Sequence, residues 1–312
     1  MAGITVGAVI FLILVGALVR MTGSGMGCPD WPKCFGQWVP PTDISQLPAD
    51  YKIRFQVAGK EIADFDPYKT WIEYINRLIG VLIGLFALIT AALSLPLRRL
   101  DPWITRWSAA GLVLVILQGG LGAYVVRTNL KTGIITLHML MALLVLAAFM
   151  AAWMRTLRTQ ANAEPGLFRL SLAALLLTLV QILLGTQVRE QIDELAIALG
   201  SDRRAEWIAG LDALYDVHKV FYYVLAAAAA AVWWQGRRSG TRALRLLSWS
   251  LPAVVAAEVL LGLGMHHLAV PAVFQPLHLL AATLLFAGLF LMTGLAWPRR
   301  PGAEQAHDEH AR

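Results

Sequence analysis

Four apolar segments decide the fold and carry its chemistry: ITLHMLMALL (135–144), YDVHKVFYYV (215–224), QPLHLLAATL (275–284) and IEYINRLIGV (72–81). Three of them place a histidine near the start of a long apolar run, and the fourth has asparagine at the matching position: His138, His218, His278 and Asn76. A histidine inside lipid is costly, so its presence in a membrane helix predicts a function. Three histidines at the same depth suggest a large planar iron cofactor held between helices.

Apolar runs of about 20 residues, the length needed to cross a bilayer, recur along the chain. The 312 residues are 58% hydrophobic and only 15% charged, which favours a membrane protein over a water-soluble one. We expect eight runs, near 3–20, 71–95, 105–126, 133–154, 167–188, 213–234, 247–265 and 276–297. They predict an all-α integral membrane protein. The first run lacks a basic n-region and a cleavage site, so we interpret it as a helix and not as a removed signal peptide.

Basic residues cluster in alternate loops and predict the orientation of the helices. The clusters follow the second, fourth, sixth and eighth runs: Arg98, Arg99, Arg106, Arg155, Arg158, Arg169, Arg237, Arg238, Arg242, Arg245, Arg299 and Arg300. Short basic loops stay in the cytoplasm, so both termini are expected inside and the loop 189–212, which is rich in acids, outside. The net charge of +6 follows from these loops and does not indicate nucleic-acid binding.

The second half of the chain repeats the first in the same order. ILVGALVR (13–20) matches ILLGTQVR (182–189), and EYINRLIGVL (73–82) aligns with LYDVHKVFYYVL (214–225). The runs that contain His138 and His278 also match each other. This parallel repeat predicts two four-helix bundles related by an axis along the membrane normal.

The predicted domains follow from that repeat. They are an N-terminal bundle with its first outer loop, a cytoplasmic linker, a C-terminal bundle and a disordered cytoplasmic tail: 1–154 with the loop 21–70, 155–169, 170–297 and 298–312. The key positions lie near the start of outside-to-inside helices, so we expect the candidate sites near the outer face.

The histidine positions predict two different sites. His218 and His278 form a candidate pair of axial ligands in the second bundle, which suits electron transfer or a structural role. The first bundle has only His138, opposite Asn76, and a single ligand leaves an iron position open. Histidines that merely bond neighbouring helices are the alternative, which the repeated placement disfavours. His266 and His267 are expected on the surface of the last outer loop, and His307 and His310 in the tail.

Glu73 lies three residues before Asn76, on the same side of its helix. We consider a proton-handling or cation-stabilising role for it, with an ion pair to Arg77 or a place at the wet interface as the alternative. Polar residues repeat on the odd-numbered helices, where we favour interhelical hydrogen bonding, and each has a glycine one turn later: Gln118, Gln181 and Glu258, with Gly122, Gly185 and Gly262.

Three arginines end odd-numbered helices on the outer side: Arg20, Arg127 and Arg189. They either clamp haem propionates or simply mark the interface, and the sequence leaves both open. The two cysteines, Cys28 and Cys34, share the first outer loop. An oxidising compartment permits a disulfide there, which we favour over two reduced thiols, and CPDWPKC lacks the further ligands that a metal site needs.

Seven motifs, in order along nearly the whole chain, resemble the haem A synthase family. They are TGSGMGCPDWPKC (22–34), EYINR (73–77), LQGGLGAYVV (117–126), the histidine of ITLHML (135–140), QILLGTQVR (181–189), VHK (217–219) and QPLHLL (275–280). The resemblance implies a membrane enzyme that oxidises a ring methyl of haem O to a formyl group, through an alcohol and a hydrated aldehyde. The product, haem A, is the cofactor of terminal cytochrome oxidases.

The resemblance also implies roles for individual residues. His218 and His278 are the ligands of a haem b, His138 is a ligand to the iron of the substrate haem, and Glu73 is the essential glutamate beside the reacting edge. Cys28 and Cys34 match a cysteine pair of many bacterial members. Asn76 departs from the pattern, because many members have histidine there, and this departure puts the usual ligand set of the substrate iron in doubt.

The alternatives are a non-enzymatic membrane haem b carrier or electron-transfer cytochrome and, less favoured, a transporter. The expected location is the bacterial plasma membrane, with the cysteine loop and both haem sites toward the outer face. Expected partners are membrane lipid, an unidentified electron donor and, through the pathway, a haem O synthase, with a homo-oligomer possible in addition.

Overall fold

A computed structural model describes residues 1–157 and 164–297. The helices of this part are α1 (Ala2–Met21), α2 (Tyr51–Arg54), α3 (Pro67–Ser94), α4 (Pro102–Arg127), α5 (Thr132–Leu157), α6 (Pro165–Leu199), α7 (Ala213–Gly236), α8 (Arg242–His267) and α9 (Phe274–Leu295). Short 3-10 helices cover Ile44–Gln46, Pro96–Arg99 and Ser201–Glu206. All the α-helices except α2 are long and apolar enough to cross a membrane, which confirms the eight predicted membrane helices.

Some predictions fall outside the described residues. They concern Arg158, at the start of an undescribed part of the linker, and the tail 298–312 with Arg299, Arg300, His307 and His310. The sidedness of the helices, inferred from the basic loops, stays a prediction.

Aspartate side chains begin three of the long helices. Asp66 accepts hydrogen bonds from the backbone N–H of Tyr68 and of Lys69, and Pro67 occupies the first helical turn. Asp101 and Asp212 cap α4 and α7 through the N–H two residues on. An aspartate cap satisfies an otherwise unpaired N–H, and proline costs no hydrogen bond in the first turn, so the sequence fixes these starts locally.

The long helices pack in two closed rings. In the first ring α1 contacts α3 and α5, and α4 contacts the same two helices. In the second ring α6 contacts α7 and α9, and α8 contacts the same two. Between the rings, α9 meets α1 and α5, and α5 meets α6. Helices α3 and α5 therefore stand diagonally opposite in the first ring, as α7 and α9 do in the second.

Buried positions recur between the rings at constant offsets. A buried residue of α4 corresponds to the residue of α8 that lies 140 positions later, and the offset from α5 to α9 is also 140. The offset is 142 from α3 to α7 and 169 from α1 to α6. Examples of such buried pairs are Ser108 with Ser248, Leu146 with Phe286, Ala87 with Ala229, and Val9 with Thr178. The offset fixes which residue of one ring corresponds to which residue of the other.

The same turn follows α4 and α8. Asn129 and Leu130 have φ of 53° and 58°, and Ala269 and Val270 have φ of 55° and 54°. The left-handed conformation is uncommon outside glycine, and for a β-branched residue such as Val270 it is strained. Each turn leads into the helix that carries His138 or His278, so the entry of both histidine helices is built alike.

The predicted end of the fifth membrane helix, near residue 188, was wrong. Helix α6 has 35 residues, about 52 Å at 1.5 Å per residue, which exceeds a hydrocarbon core of about 30 Å. Much of the expected loop 189–212 is therefore helical. Apolar residues continue at helical spacing within this charged stretch, and Ile192 and Leu195 pack with Trp207 and Val270 in a small separate core. Hydropathy alone conceals this amphipathic extension, because its charged face lowers the average.

A second small core stabilises the long loop after α1. Cys28 and Cys34 form a disulfide and are fully buried, which confirms the predicted pairing. Phe35 and Tyr51 pack with them, and the Phe35 ring meets Phe55 edge to face. This compact loop lies against the start of α3.

Candidate functional site

The two histidines of the second ring stand on diagonal helices. His218 lies on the second turn of α7 and His278 on the second turn of α9. A Cβ atom added at Gly185 would lie 3.2 Å from Cε1 of His218, and one at Gly262 would lie 3.9 Å from Cε1 of His278. Glycine at position 185 therefore lets α6 approach the His218 ring closely, whereas a Cβ at Gly262 would make an ordinary contact with the His278 ring.

Polar side chains of the neighbouring helices support both histidines. Oε2 of Glu258 lies 2.5 Å from Nδ1 of His278, and the Gln181 amide donates to the backbone carbonyl of His218 over 3.1 Å. This contact is short, but its geometry is not that of a hydrogen bond, since Nδ1 of His278 has no hydrogen-bond partner among the described residues. The expected interhelical hydrogen bonding is therefore seen for Gln181, whereas Glu258 makes a close contact with a candidate ligand.

In the first ring, the corresponding histidine has the same kind of neighbours. A Cβ atom at Gly122 would lie 3.3 Å from Cε1 of His138. The Gln118 amide nitrogen donates to the backbone carbonyl of His138 over 3.0 Å and lies 3.4 Å from its Nε2. Diagonally opposite, Asn76 takes the position that His218 has in the second ring. This ring thus holds one imidazole and one amide.

Several polar atoms of these residues are buried without a hydrogen bond within the described part of the chain. They include Nδ1 of all three histidines, His138, His218 and His278, together with Oδ1 of Asn76 and Oε1 of Glu258. Buried polar atoms in native proteins normally have partners, so unpaired ones in two matching places fit a bound group there. In residues 1–157 and 164–297 there is no group of three or more His, Cys, Asp or Glu that could hold a bare ion. A haem, which needs one or two axial residues, fits this donor set.

Glu73 is buried at the first turns of α3 and is 4% exposed. Its Oε1 pairs with Arg77, and its Oε2 accepts a 2.7 Å hydrogen bond from the backbone N–H of Cys28. The ion pair considered as the alternative for Glu73 is therefore present. The carboxylate lies between the helix that carries Asn76 and the disulfide loop.

Two of the three arginines meet on one carboxylate between the rings. Arg20 donates to Oδ2 of Asp193 over 2.7 and 3.0 Å, and Arg189 lies 2.5 Å from Oδ1 of the same residue. Arg127 ends α4 with an exposed side chain and is not brought to this cluster. Nearby, Thr136 donates to Glu190 over 3.0 Å, which ties α5 to α6. The arginines at Asp193 connect α1 of the first ring to α6 of the second.

Three features of this end of the molecule were not predicted from the sequence. Asp193 was not predicted as the shared partner of Arg20 and Arg189, although the acids of the stretch 189–212 indicated that a carboxylate lies near these arginines. His266 and His267 were predicted to lie in a loop. They instead end α8, with both side chains exposed. The hydroxyl of Tyr215 lies 2.8 Å from Nδ1 of His266, one turn from His218, and no pattern in the sequence indicated this contact.

Comparison with known proteins places the chain in a family. The model of the COX15-CtaA family, described as cytochrome oxidase assembly protein, matches residues 1–290. A Heme A synthase of Shewanella oneidensis is 27% identical over 226 residues, which cover 70% of this chain and 64% of the relative. A Heme A synthase of Rhodopseudomonas palustris is 31% identical over 192 residues, 57% of this chain and 52% of the relative. The chain therefore spans less than two thirds of the length of these curated relatives.

The family match and the fold agree along the chain. The matched residues include all the candidate site positions, from Arg20 to His278, and run through every membrane helix up to the last turns of α9. A match of this extent does not depend on any single motif. The chain belongs to the COX15-CtaA family of cytochrome oxidase assembly proteins.

Proposed function

We propose that this protein is a haem A synthase, which oxidises a ring methyl of haem O to a formyl group through an alcohol and a hydrated aldehyde. The observation that carries the proposal is the unequal pair of sites in two similar rings. One ring offers two imidazoles, and the other offers His138, Asn76 and the buried carboxylate of Glu73. The relatives named Heme A synthase give the reaction its name.

In this proposal the second ring holds haem b between His218 and His278. These two imidazoles would hold the haem, and the haem would supply electron transfer. Glu258 lies at Nδ1 of His278 and would orient this ligand. Gly185 and Gly262 keep the faces of α6 and α8 next to the two imidazoles free of side-chain atoms.

The first ring is the proposed site of the substrate, haem O. His138 binds the substrate iron from one side, and Asn76 leaves the opposite side to a water molecule or open, as oxygen chemistry requires. Glu73 is the proposed catalytic carboxylate, which handles a proton or stabilises positive charge at the reacting methyl. Arg77 pairs with this carboxylate in its buried place.

The arginines are proposed contacts of the haem propionates. Arg20 and Arg189 already bind a carboxylate, Asp193, and a propionate of similar geometry can take its place. Arg127 is the remaining candidate on the first ring. The expected setting is a bacterial plasma membrane, with both sites toward the outer face, a separate electron donor, a haem O synthase as the source of substrate, and a homo-oligomer as a further possibility.

The test is extraction and chromatography of haems from membranes that contain the protein and a supply of haem O. We expect haem A, or its alcohol intermediate, with the wild-type protein. Glu73→Ala and the isosteric Glu73→Gln should lower haem A by about 100-fold or more while haem b is retained, since a positioned acid or base contributes at least this much.

The matched control is Glu61→Ala, which removes an exposed carboxylate of the same outer loop and should leave haem A unchanged. Haem b with unchanged haem O, in a folded protein given electron donors and oxygen, would overturn the enzyme proposal. That outcome would favour the haem b carrier or electron-transfer cytochrome and would point to Asn76 as the reason.

A further inference from the structure

All five N–H groups of the Arg77 guanidinium are engaged. Nη1 donates to the carbonyl oxygens of Asp30 and Lys33 over 2.6 and 3.0 Å, and Nη2 donates to the carbonyl of Cys28 over 2.8 Å. Nε and Nη2 also donate to Oε1 of Glu73. A guanidinium has five donors in a fixed plane, so this arrangement uses its full capacity. Three of the five bonds go to the backbone of the disulfide loop.

The Glu73 carboxylate is held by the same loop. Oε1 accepts from Arg77, and Oε2 accepts from the backbone N–H of Cys28 over 2.7 Å. One turn earlier on α3, Thr70 donates to the carbonyl of Gly27 over 2.9 Å. A Cβ atom at Gly27 would lie 2.3 Å from the carbonyl oxygen of Lys69, so only glycine allows the loop backbone to lie this close to the helix.

The loop behind these contacts, residues 28–37, is itself a closed unit. The disulfide joins Cys28 to Cys34, and the Asp30 carboxylate accepts from the backbone N–H of Phe35 and Gly36 over 2.6 and 2.8 Å. Cys34 and Gln37 exchange two backbone hydrogen bonds. Because these bonds close residues 28–37 into one unit, a contact that holds one end of the unit also fixes the position of the other end.

The second ring has a different arrangement at the corresponding positions. The offset of 142 residues places Tyr215 where the first ring has Glu73 and Lys219 where it has Arg77. There the Lys219 ammonium lies 4.4 Å from the centre of the Tyr215 ring and pairs with exposed Asp216, while Tyr215 contacts His266 of α8. The loop-binding function therefore belongs to the first ring.

We propose that Arg77 is a positioning residue that joins the disulfide loop and the Glu73 carboxylate into one unit, so that an intact loop sets the position of Glu73. The consequence for catalysis rests on the proposed function of Glu73, whereas the mechanical connection does not. Arg77 therefore does more than form an ion pair, because the resistance of the buried disulfide to reduction depends on it. The position of the Glu73 carboxylate depends in turn on the disulfide.

Arg77→Lys is the sharpest variant, because it keeps the charge but cannot make the planar set of five bonds. In purified protein without haem O, we expect the Cys28–Cys34 disulfide to be reduced by the phosphine TCEP roughly tenfold faster than in the wild type, since lost charged hydrogen bonds favour opening of the loop. Maleimide labelling followed by mass spectrometry measures the rate. Glu73→Gln, which keeps one acceptor and the side-chain shape, should give a smaller acceleration.

The matched control is Lys52→Met, which removes an exposed 2.7 Å ion pair with Asp64, outside residues 28–37 but in the same connection between α1 and α3, and should leave the reduction rate unchanged. An unchanged rate in Arg77→Lys, or an equal acceleration in Lys52→Met, would overturn the proposal. Because this assay needs no turnover, its result stands even if the wild-type protein makes no haem A.

A second measurement tests the connection to Glu73 with haem O supplied. Arg77→Lys should lower haem A formation about tenfold with an unchanged haem b spectrum, whereas general misfolding would lower both. In a Cys28→Ala/Cys34→Ala background, Arg77→Lys should add little further loss, since both changes break the same unit. Full additivity of the two losses would contradict positioning through the loop.

Discussion

In the second ring His218 stands diagonally opposite His278, whereas the corresponding pair in the first ring is Asn76 and His138. The supporting side chain differs in the same way, with a carboxylate in the second ring and the amide of Gln118 in the first. Away from this end, the rings bury the same positions, as the two serines Ser108 and Ser248 illustrate in α4 and α8.

One packing scheme therefore carries two different sets of side chains at its histidine end. The shared positions lie where helices contact one another and their side chains are set by volume. The differences lie at the end that bears the histidines, where they change the charge and the number of imidazoles. Exchanging residues at this end between the rings should therefore exchange their expected haem-binding properties without disturbing the packing of the core.

The largest effect should come from exchanging the ligand pair. His218→Asn gives the second ring the composition of the first and should abolish the low-spin spectrum of a bis-imidazole haem, because an amide is a poor iron ligand. Asn76→His should give the first ring such a spectrum when it is loaded with haem. A Cβ at Gly16, which corresponds to Gly185, would meet no described atom within 4 Å, so an imidazole has room. Visible and EPR spectra of the purified protein check both expectations.

Asn76→Gln is the matched control for the first ring, since it adds length without an imidazole and should leave the spectrum unchanged. Retention of the low-spin signal in His218→Asn would show that this haem is not held by His218. The two rings would then not differ in their iron ligands as proposed.

A smaller effect is expected from the carboxylate beside His278. Glu258→Gln gives the second ring the amide of the first, and it should accelerate haem b loss by about 10-fold, because groups that orient a ligating histidine typically contribute this much to metal affinity. Transfer of haem to apomyoglobin measures the rate. The reverse change, Gln118→Glu, should leave haem b retention as it is, and equal losses in both variants would contradict a role specific to His278.

The sequence predicted the fold well where single segments decide it. The eight membrane helices and the repeat were visible because hydropathy and motif order are local properties, and the aspartates before α3, α4 and α7 mark starts that need no tertiary information. The end of α6 was not visible, because Ile192 and Leu195 are recognised as core only once Trp207 packs on them. A charged helix extension of this kind resembles a loop until its partners are known.

The candidate site was predictable in its residues but not in its connections. Histidine in an apolar run is a strong signal on its own, so His138, His218 and His278 could be named. The bonds from Arg77 to three loop carbonyls join residues more than 40 positions apart and involve backbone atoms, for which side-chain patterns give no signal. The same holds for Asp193, which Arg20 reaches across 173 positions.

The smallest expected effect concerns the side chains that lie one helical turn after the candidate ligands in the two rings. One turn after His218, the Tyr222 hydroxyl donates to the backbone carbonyl of Val255 over 3.1 Å and links α7 to α8, whereas the corresponding Gly80 would have no described atom within 4 Å of an added Cβ. Tyr222→Phe removes only this hydrogen bond and should lower the free energy of unfolding by about 0.5–1.5 kcal/mol. Tyr223→Phe, at an exposed neighbouring ring, should change nothing. Thermal unfolding in detergent measures both, and equal Tm values for the two variants would mean that the second ring gains no stability from this link and that the rings differ here only in volume.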